Sequence, residues 1–259
     1  MQSGNHRALI SPLQFIGLSP IQGLGEIMKL LLLLVLIFSD VRAEFTNKTE
    51  GGLVITSGNS RTQSIQGKHL SVYHWDSNDL SLKSSFLKGK SDGVLNAKKW
   101  DASLRYERTF TEFFSGFLSQ GVESDRFAGY QQRFNSDVGP KYFFIKEQND
   151  WNWFGEGGYR YSRERRTNGS KSNSTKGRLY TEVAKKWGTG SSSKLWLEYV
   201  PNFSNSNDWL FNSEFSTEAA LGSILSLRVA YLLKYDNQPD SVDKKKADST
   251  LTTSLVASY

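Results

Sequence analysis

The sequence predicts an all-β fold: a single antiparallel transmembrane β-barrel of about twelve strands in up-and-down order. Three observations predict it. Apolar and polar residues alternate with period two along most of residues 44–259. The alternating runs are about ten residues long, the length a tilted strand needs to cross a bilayer. A short apolar export-type segment precedes them.

That segment, MKLLLLLVLIFSDVRAEF, begins at Met28. Lys29 supplies the positive charge, Leu30–Phe38 the apolar run, and Val41-Arg42-Ala43 the small residues a signal peptidase reads. Cleavage is expected after Ala43. Residues 1–27 read as an over-extended gene start, 28–43 as the signal peptide and 44–259 as the barrel. With no Cys in the chain, a disulfide framework, a thiolate metal site and a lipid-modified Cys are excluded. The net charge is +6 with the two signs interspersed, which points to solvated loops and not to nucleic-acid binding.

Strands are expected at 49–58, 62–75, 79–89, 95–110, 112–123, 131–145, 150–164, 175–187, 192–201, 207–218, 223–235 and 248–259. The eleventh shows the pattern well: Leu225, Leu227, Val229, Tyr231, Leu233 and Tyr235 alternate with Ser226, Arg228 and Lys234. The last alternates Leu251, Thr253, Leu255, Ala257 and Tyr259 with hydroxylated residues. Aromatics gather near strand ends (Tyr73, Trp75, Trp100, Phe110, Phe113, Trp151, Trp153, Trp187, Trp209, Tyr235, Tyr259), as expected of side chains with an apolar body and a polar tip at a membrane boundary. Linkers alternate between compact ones (DSN, FT, EQND, GTGSS, ALGS) and polar ones (GKSDGVLN, ESDRFAGYQQ, RERRTNGSKSNST, DNQPDSVDKKKAD), with short GNSRT an exception among the latter. That asymmetry suits inner turns and outer loops. Tyr259 is read as an insertion signal for the barrel-assembly machinery and as an interfacial anchor.

The second face of the strands carries full charges. Arg105, Glu107, Glu156, Arg160, Glu198 and Arg228 are expected in the lumen, where Glu156 and Arg160 would pair with Arg105, Glu107, Glu198 or Arg228. A basic patch of Arg163, Arg165, Arg166, Lys171 and Lys244, Lys245 and Lys246 is expected on outer loops, facing anionic lipopolysaccharide. No enzyme is expected. An outer-membrane phospholipase needs Ser and His, usually oriented by Asn, at the outer lipid boundary. His69 and His74 fall on opposite faces of one strand, His69 in mid-strand and His74 toward the inner end. No metal cluster, Walker loop or dinucleotide fingerprint occurs, and the Gly-Glu-Gly-Gly of 155–158 falls within a strand, so no metal or cofactor is expected.

The segments TSGNSRTQS (56–64), DRFAGYQQRFNSDVGPKYFF (125–144), GEGGYRYSRE (155–164), EYVPNFSNSNDW (198–209) and YDNQPDSVDKKKADSTLTTSLVASY (235–259) resemble the salt-induced outer-membrane protein family, a domain-of-unknown-function group. The resemblance spans nearly all of 44–259. It implies a single barrel in the outer membrane of a Gram-negative bacterium, with no established activity. It marks Arg133, Gly139, Glu156, Gly158, Tyr199, Pro201, Asp236, Pro239 and Asp248, with Gly139 and Gly158 read as places for bends or bulges. The family's usual last residue is Phe; here it is Tyr259. The functional expectation is a narrow channel for small solutes or ions, or an envelope-stress barrel. The alternatives are a closed barrel that binds lipopolysaccharide and, more distantly, a hydrolase.

Overall fold

The computed structural model describes residues 44–56, 62–239 and 245–259. The expectations for 1–27, the signal peptide, the turn at 57–61 and Lys244 lie outside the described residues. Twelve strands follow one another: β1 Glu44–Thr56, β2 Thr62–Trp75, β3 Asn78–Ser91, β4 Val94–Thr109, β5 Phe114–Asp125, β6 Tyr130–Gln148, β7 Trp151–Arg166, β8 Lys171–Trp187, β9 Ser191–Pro201, β10 Trp209–Ala220, β11 Leu225–Asp236 and β12 Ala247–Ser258. Each pairs antiparallel with its chain neighbours, and β1 pairs with β12, so the sheet closes into an up-and-down barrel. No helix occurs among the described residues.

Closure removes the sheet's edges, which lipid cannot hydrogen-bond. The seam is short. β1 meets β12 through four register pairs, Lys48↔Ser258 to Gly51↔Leu255, whereas β1 and β2 pair from Glu44↔His74 to Thr56↔Thr62. Asn47 and Tyr259 extend the seam by exchanging backbone N–H to carbonyl bonds of 2.7 and 3.0 Å. The Tyr259 side chain is exposed beside it.

The pleat sorts side chains into two environments. Register pairs such as Leu80↔Tyr106, Tyr199↔Phe211 and Phe215↔Tyr231 face outward; Tyr199, Phe215 and Tyr231 are exposed and the other three half-buried, as a lipid-facing wall requires. Rings form two belts. At the end where β1 begins and β12 finishes, Tyr73 meets Trp75 (5.3 Å), Trp75 meets Tyr106 (6.2 Å), and Phe144 meets Trp153 (4.7 Å). At the opposite end Tyr159 meets Phe203 (6.4 Å) and Trp209 bridges Tyr199 (5.8 Å) and Tyr235 (5.1 Å). Trp100 departs from the expected belt position and stands on the outward wall opposite Phe86.

Three polar segments expected as long outer loops are mostly strand. Between β3 and β4 only 92–93 remains as a turn, between β5 and β6 126–129, and between β7 and β8 167–170. The Asp92-Gly93 turn has φ of 49° and 80°, the doubly left-handed turn that joins twisted strands most tightly; Asn149 and Asp150, at 51° and 66°, do the same at the other end. Turn chemistry and cross-strand ion pairs keep polar sequence extended here. Longer connections leave β9 (202–208) and β11 at the end remote from the termini of the barrel.

Gly139 also departs from its expected role. The β6–β7 register runs without a shift from Val138↔Tyr159 to Lys141↔Glu156, so no bulge lies there. The need is for space: a Cβ on Gly139 would stand 2.1 Å from the Gly157 carbonyl oxygen and 2.7 Å from Gly158 Cα. A Cβ on Gly157 would meet nothing within 4 Å. We expect Gly139→Ala to destabilise the folded barrel by about 3 kcal/mol or more, because backbone must move. The compact gel band of the unheated protein would then be lost at a lower temperature, while Gly157→Ala would leave that temperature unchanged.

Candidate functional site

Inward positions of β4, β6, β7, β8 and β9 build one chain of alternating charge. Lys141 Nζ donates to Glu107 Oε1 (2.8 Å), and Arg105 Nη2 bridges Glu107 Oε2 (2.7 Å) and Glu156 Oε1 (2.8 Å). Arg178 follows, with Nη1 on Glu156 Oε2 and Nε on Glu198 Oε1, both at 2.6 Å. Arg160 reaches Glu198 (3.3 Å) and forks onto Asp137 at 2.7 and 2.9 Å. Phe117 of β5 lies under the chain, its ring 4.0 Å from the Arg105 guanidinium. Every acid here has a basic partner, so the chain is electrically closed, and low-dielectric surroundings strengthen each bond.

A second cluster stands inside the seam. Buried Arg228 on β11 donates to Glu50 of β1 (2.8 Å) and Glu214 of β10 (2.6 Å), and Ser254 of β12 adds a bond to Glu50 (2.7 Å). Lys48 of β1 reaches Glu218 of β10 at 2.6 Å. A third cluster lies toward the remote end: Arg133 holds Glu164 (2.7 Å) and Glu123 (3.4 Å), stacks 3.9 Å over the Tyr130 ring, and leaves Glu164 to take Arg166 (2.9 Å) as well.

The expected partners are partly different from those observed. Glu156 does meet Arg105 and Arg160 does meet Glu198, but Arg228 joins neither and belongs to the seam cluster. Sequence reasoning missed Arg178, which links the two halves of the long chain, together with Asp137, Lys141, Glu50 and Glu214. Each stands at an inward position, but which charges meet depends on strand stagger.

Two cavities of about 830 and about 760 Å³ occupy the lumen between these clusters. Lys83, Lys234, Tyr180 and Trp196 line both, and so mark their junction. Lys83 of β3 and Lys234 of β11 extend into lumen solvent, and neither has an ion pair among the described residues, nor has Lys99 of β4. Lys68 and Lys194 add charge with looser contacts, Lys68 at 3.7 Å from Glu50 and 3.6 Å from Glu214, Lys194 at 3.6 Å from Glu182. Lys194 on β9 stands half the barrel round from Lys83, and both line the same cavity.

One wall of the junction is aromatic. Phe154, Tyr180 and Trp196 succeed one another across β7, β8 and β9 at 5.9 and 6.0 Å. Lys141 covers Phe154 (4.3 Å) and Arg178 covers Tyr180 (4.8 Å), whereas no cation among the described residues lies over Trp196.

The expected outer basic patch is divided, and its Arg163 to Lys171 part lies in strands. Arg163, Arg165 and Arg166 are in β7 and Lys171 opens β8. Arg165 pairs in register with Lys171 on the outward face, with Arg163 one pleat away, beyond Tyr159 and Tyr161. Arg166 points inward to Glu164. Lys245 and Lys246 instead line the remote mouth of the lumen with Asp236, Pro239 and Asp248. Tyr199 is on the outward wall and Pro201 pairs with Trp209 at the strand's end. Gly158 packs against the Val138 carbonyl, where a Cβ would lie 3.2 Å away. His74 faces inward and bonds Asp79 (2.5 Å), while His69 faces outward.

The closed twelve-strand antiparallel architecture is that of outer-membrane barrels. The NanC porin superposes with a TM-score of 0.50 over 82% of this chain and 98% of that one, at 10% identity. The KdgM porin aligns with a TM-score of 0.47 over 83% and 98%, at 10% identity, and the translocator domain of autotransporter NalP from Neisseria meningitidis with 0.44 over 91% and 95%, also at 10%. No curated protein matches the sequence. Residues 49–259, from the first seam pairs to the last residue, match the family described as protein of unknown function DUF481, and the chain belongs to that family.

Proposed function

We propose that the protein is an outer-membrane channel for small anionic solutes, with both ends of the barrel chain on the periplasmic side. One observation carries this reading: the two lumen cavities meet at Lys83 and Lys234, cations without a carboxylate partner among the described residues. The carboxylates at the same junction are held. Glu123 is taken by Arg133 and Glu198 by Arg178; Asp101 accepts from the Ser85 hydroxyl, and Asp125 accepts from the backbone N–H groups of Phe127 (3.1 Å) and Ala128 (2.9 Å). Glu123 and Glu198 are thus neutralised by arginines, Asp101 and Asp125 keep their charge under neutral donors, and three unpaired ammonium groups, Lys83, Lys99 and Lys234, outnumber those two carboxylates among the described residues, which favours a passing anion. Trp196 gives cyclic acids an apolar face to lie on. Residence in an outer membrane, insertion signalled by Tyr259 and a role under salt or envelope stress belong to the same proposal.

A second reading draws on Arg163, Arg165 and Lys171, which have no ion pair among the described residues and stand on the outward wall beyond a ring belt. That is where lipopolysaccharide phosphates would lie, and guanidinium groups suit phosphate geometry.

Conductance in planar bilayers tests the first reading. Steady steps with a reversal potential displaced toward the anion are expected, and Lys83→Glu with Lys234→Glu should carry it past zero to cation preference. A stably inserted but silent barrel would refute the channel. For the second reading, Arg163→Gln, Arg165→Gln and Lys171→Gln together should lower lipopolysaccharide retained through purification and leave conductance unchanged.

A further inference from the structure

On the outside of the barrel, away from the lumen, β1 and β2 present a serine, a histidine, a threonine and an asparagine in mutual contact. His69 Nε2 lies 2.8 Å from Ser71 Oγ and Nδ1 lies 2.9 Å from Thr49 Oγ1. Ser71 Oγ lies 2.8 Å from the Asn47 side-chain amide. His69 and Ser71 are two residues apart on one strand, so both project from the same face. The register Thr49↔His69 and Asn47↔Ser71 sets their partners directly opposite. We infer that this cluster is a serine esterase site for the acyl esters of membrane phospholipids.

The proton inventory fits. A hydroxyl carries one proton and cannot donate to both Asn47 and His69. With the Asn47 oxygen toward it, Ser71 Oγ donates to Oδ1; turning the amide over exchanges Oδ1 and Nδ2 and makes Nδ2 a donor to Ser71 Oγ. The Ser71 proton then goes to Nε2, and Nδ1–H donates to Thr49 Oγ1. That is nucleophile, general base and positioning residue in contact, with an amide donor alongside for an oxyanion. Ser71 Oγ attacks the ester carbonyl as its proton passes to His69 Nε2. The tetrahedral intermediate collapses, the acyl C–O bond breaks, and the lysophospholipid alkoxide takes the proton. Water, activated by the same imidazole, hydrolyses the acyl-serine and releases the fatty acid.

Depth and space agree with that substrate. The next outward pair toward the barrel end is Phe45↔Tyr73, with Tyr73 in the ring belt that marks the headgroup level. One pleat of tilted strand puts Ser71 roughly 5 Å inside the belt, where the glycerol esters of a phospholipid lie. Toward the bilayer centre the next outward pair is Gly51↔Gly67, and a Cβ on Gly51 would meet nothing within 4 Å. The Phe86 ring lies over Gly67, so an acyl chain has a shelf over Gly51 alone, bordered by exposed Phe86, Leu53 and Leu255. Polar groups on a lipid-facing wall are costly, which argues for a use beyond packing. On the orientation proposed above, the site faces the periplasmic leaflet.

The test is fatty-acid release from diacyl phospholipid in mixed detergent micelles by the full chain purified as a compact, heat-modifiable barrel, with fluorophosphonate labelling mapped by mass spectrometry. Micelles make the result independent of orientation and of whether the lumen conducts. Release and labelling at Ser71 are expected. Ser71→Ala should abolish both, and His69→Ala should lower release about a thousandfold. Thr49→Val should lower kcat with KM unchanged, and Thr49→Ser should restore it. Equal release by Ser71→Ala, or no release and no label from the compact barrel, overturns the site; label without release overturns phospholipid as its substrate.

Discussion

The barrel depends on its seam. Eleven of the twelve strand contacts join segments that are neighbours in the chain and zip from a turn. β1 and β12 have no turn between them and share only four register pairs and the Asn47–Tyr259 exchange. What the backbone lacks is supplied from the lumen, where Glu50 of β1 binds Arg228 of β11, and Lys48 of β1 binds Glu218 of β10, both reaching past β12. Arg228 and Glu50 are buried, so losing either would strand a charge at a cost of about 3–5 kcal/mol, less whatever lumen water screens. The Lys48 pair is more exposed and contributes less.

The same constraint shapes the interior. Lipid forces apolar side chains outward, and the pleat then forces the alternate set inward, where an apolar filling would have left a collapsed or water-repelling lumen. Charged residues fill it instead, and their pairing decides what is left for a solute. Arginines hold most of the acids because a planar fork satisfies two carboxylates at once, as Arg178 does for Glu156 and Glu198. Lysines, with a single mobile head, are the residues left unpaired. Rigid neutral walls and a few mobile cations are therefore consequences of one choice of residue types.

Much of this was legible in the sequence. All twelve strands follow from alternation, because lipid on one side and water on the other leave no softer pattern. Their ends were misplaced where polar runs looked like loops; Asp92-Gly93 was the overlooked signal, since that dipeptide needs no further loop residues. Inward charges could be named but not paired. Arg105 reaches Glu156 across two intervening strands, and that depends on a stagger that no local pattern encodes. Lys83 and Lys234 stand out only after the lumen ion pairs have been assigned. Arg163 and Arg165 part from Arg166 by parity alone, once the segment is known to be strand.

Parity also governs the outer face. Lys68 and His69 are adjacent in β2, one facing Glu50 and Glu214 in the lumen, the other Thr49 in the lipid-facing wall. A slip of one residue would exchange them, burying imidazole in the ion cluster and setting an ammonium in hydrocarbon. The Lys68 contacts inside thus fix the same register that brings His69 and Ser71 opposite Thr49 and Asn47 outside. The lumen cluster that supports the seam and the outward serine–histidine pair are two readings of one strand alignment. A change that loosens the first, such as loss of Glu50, should disturb the second without touching it.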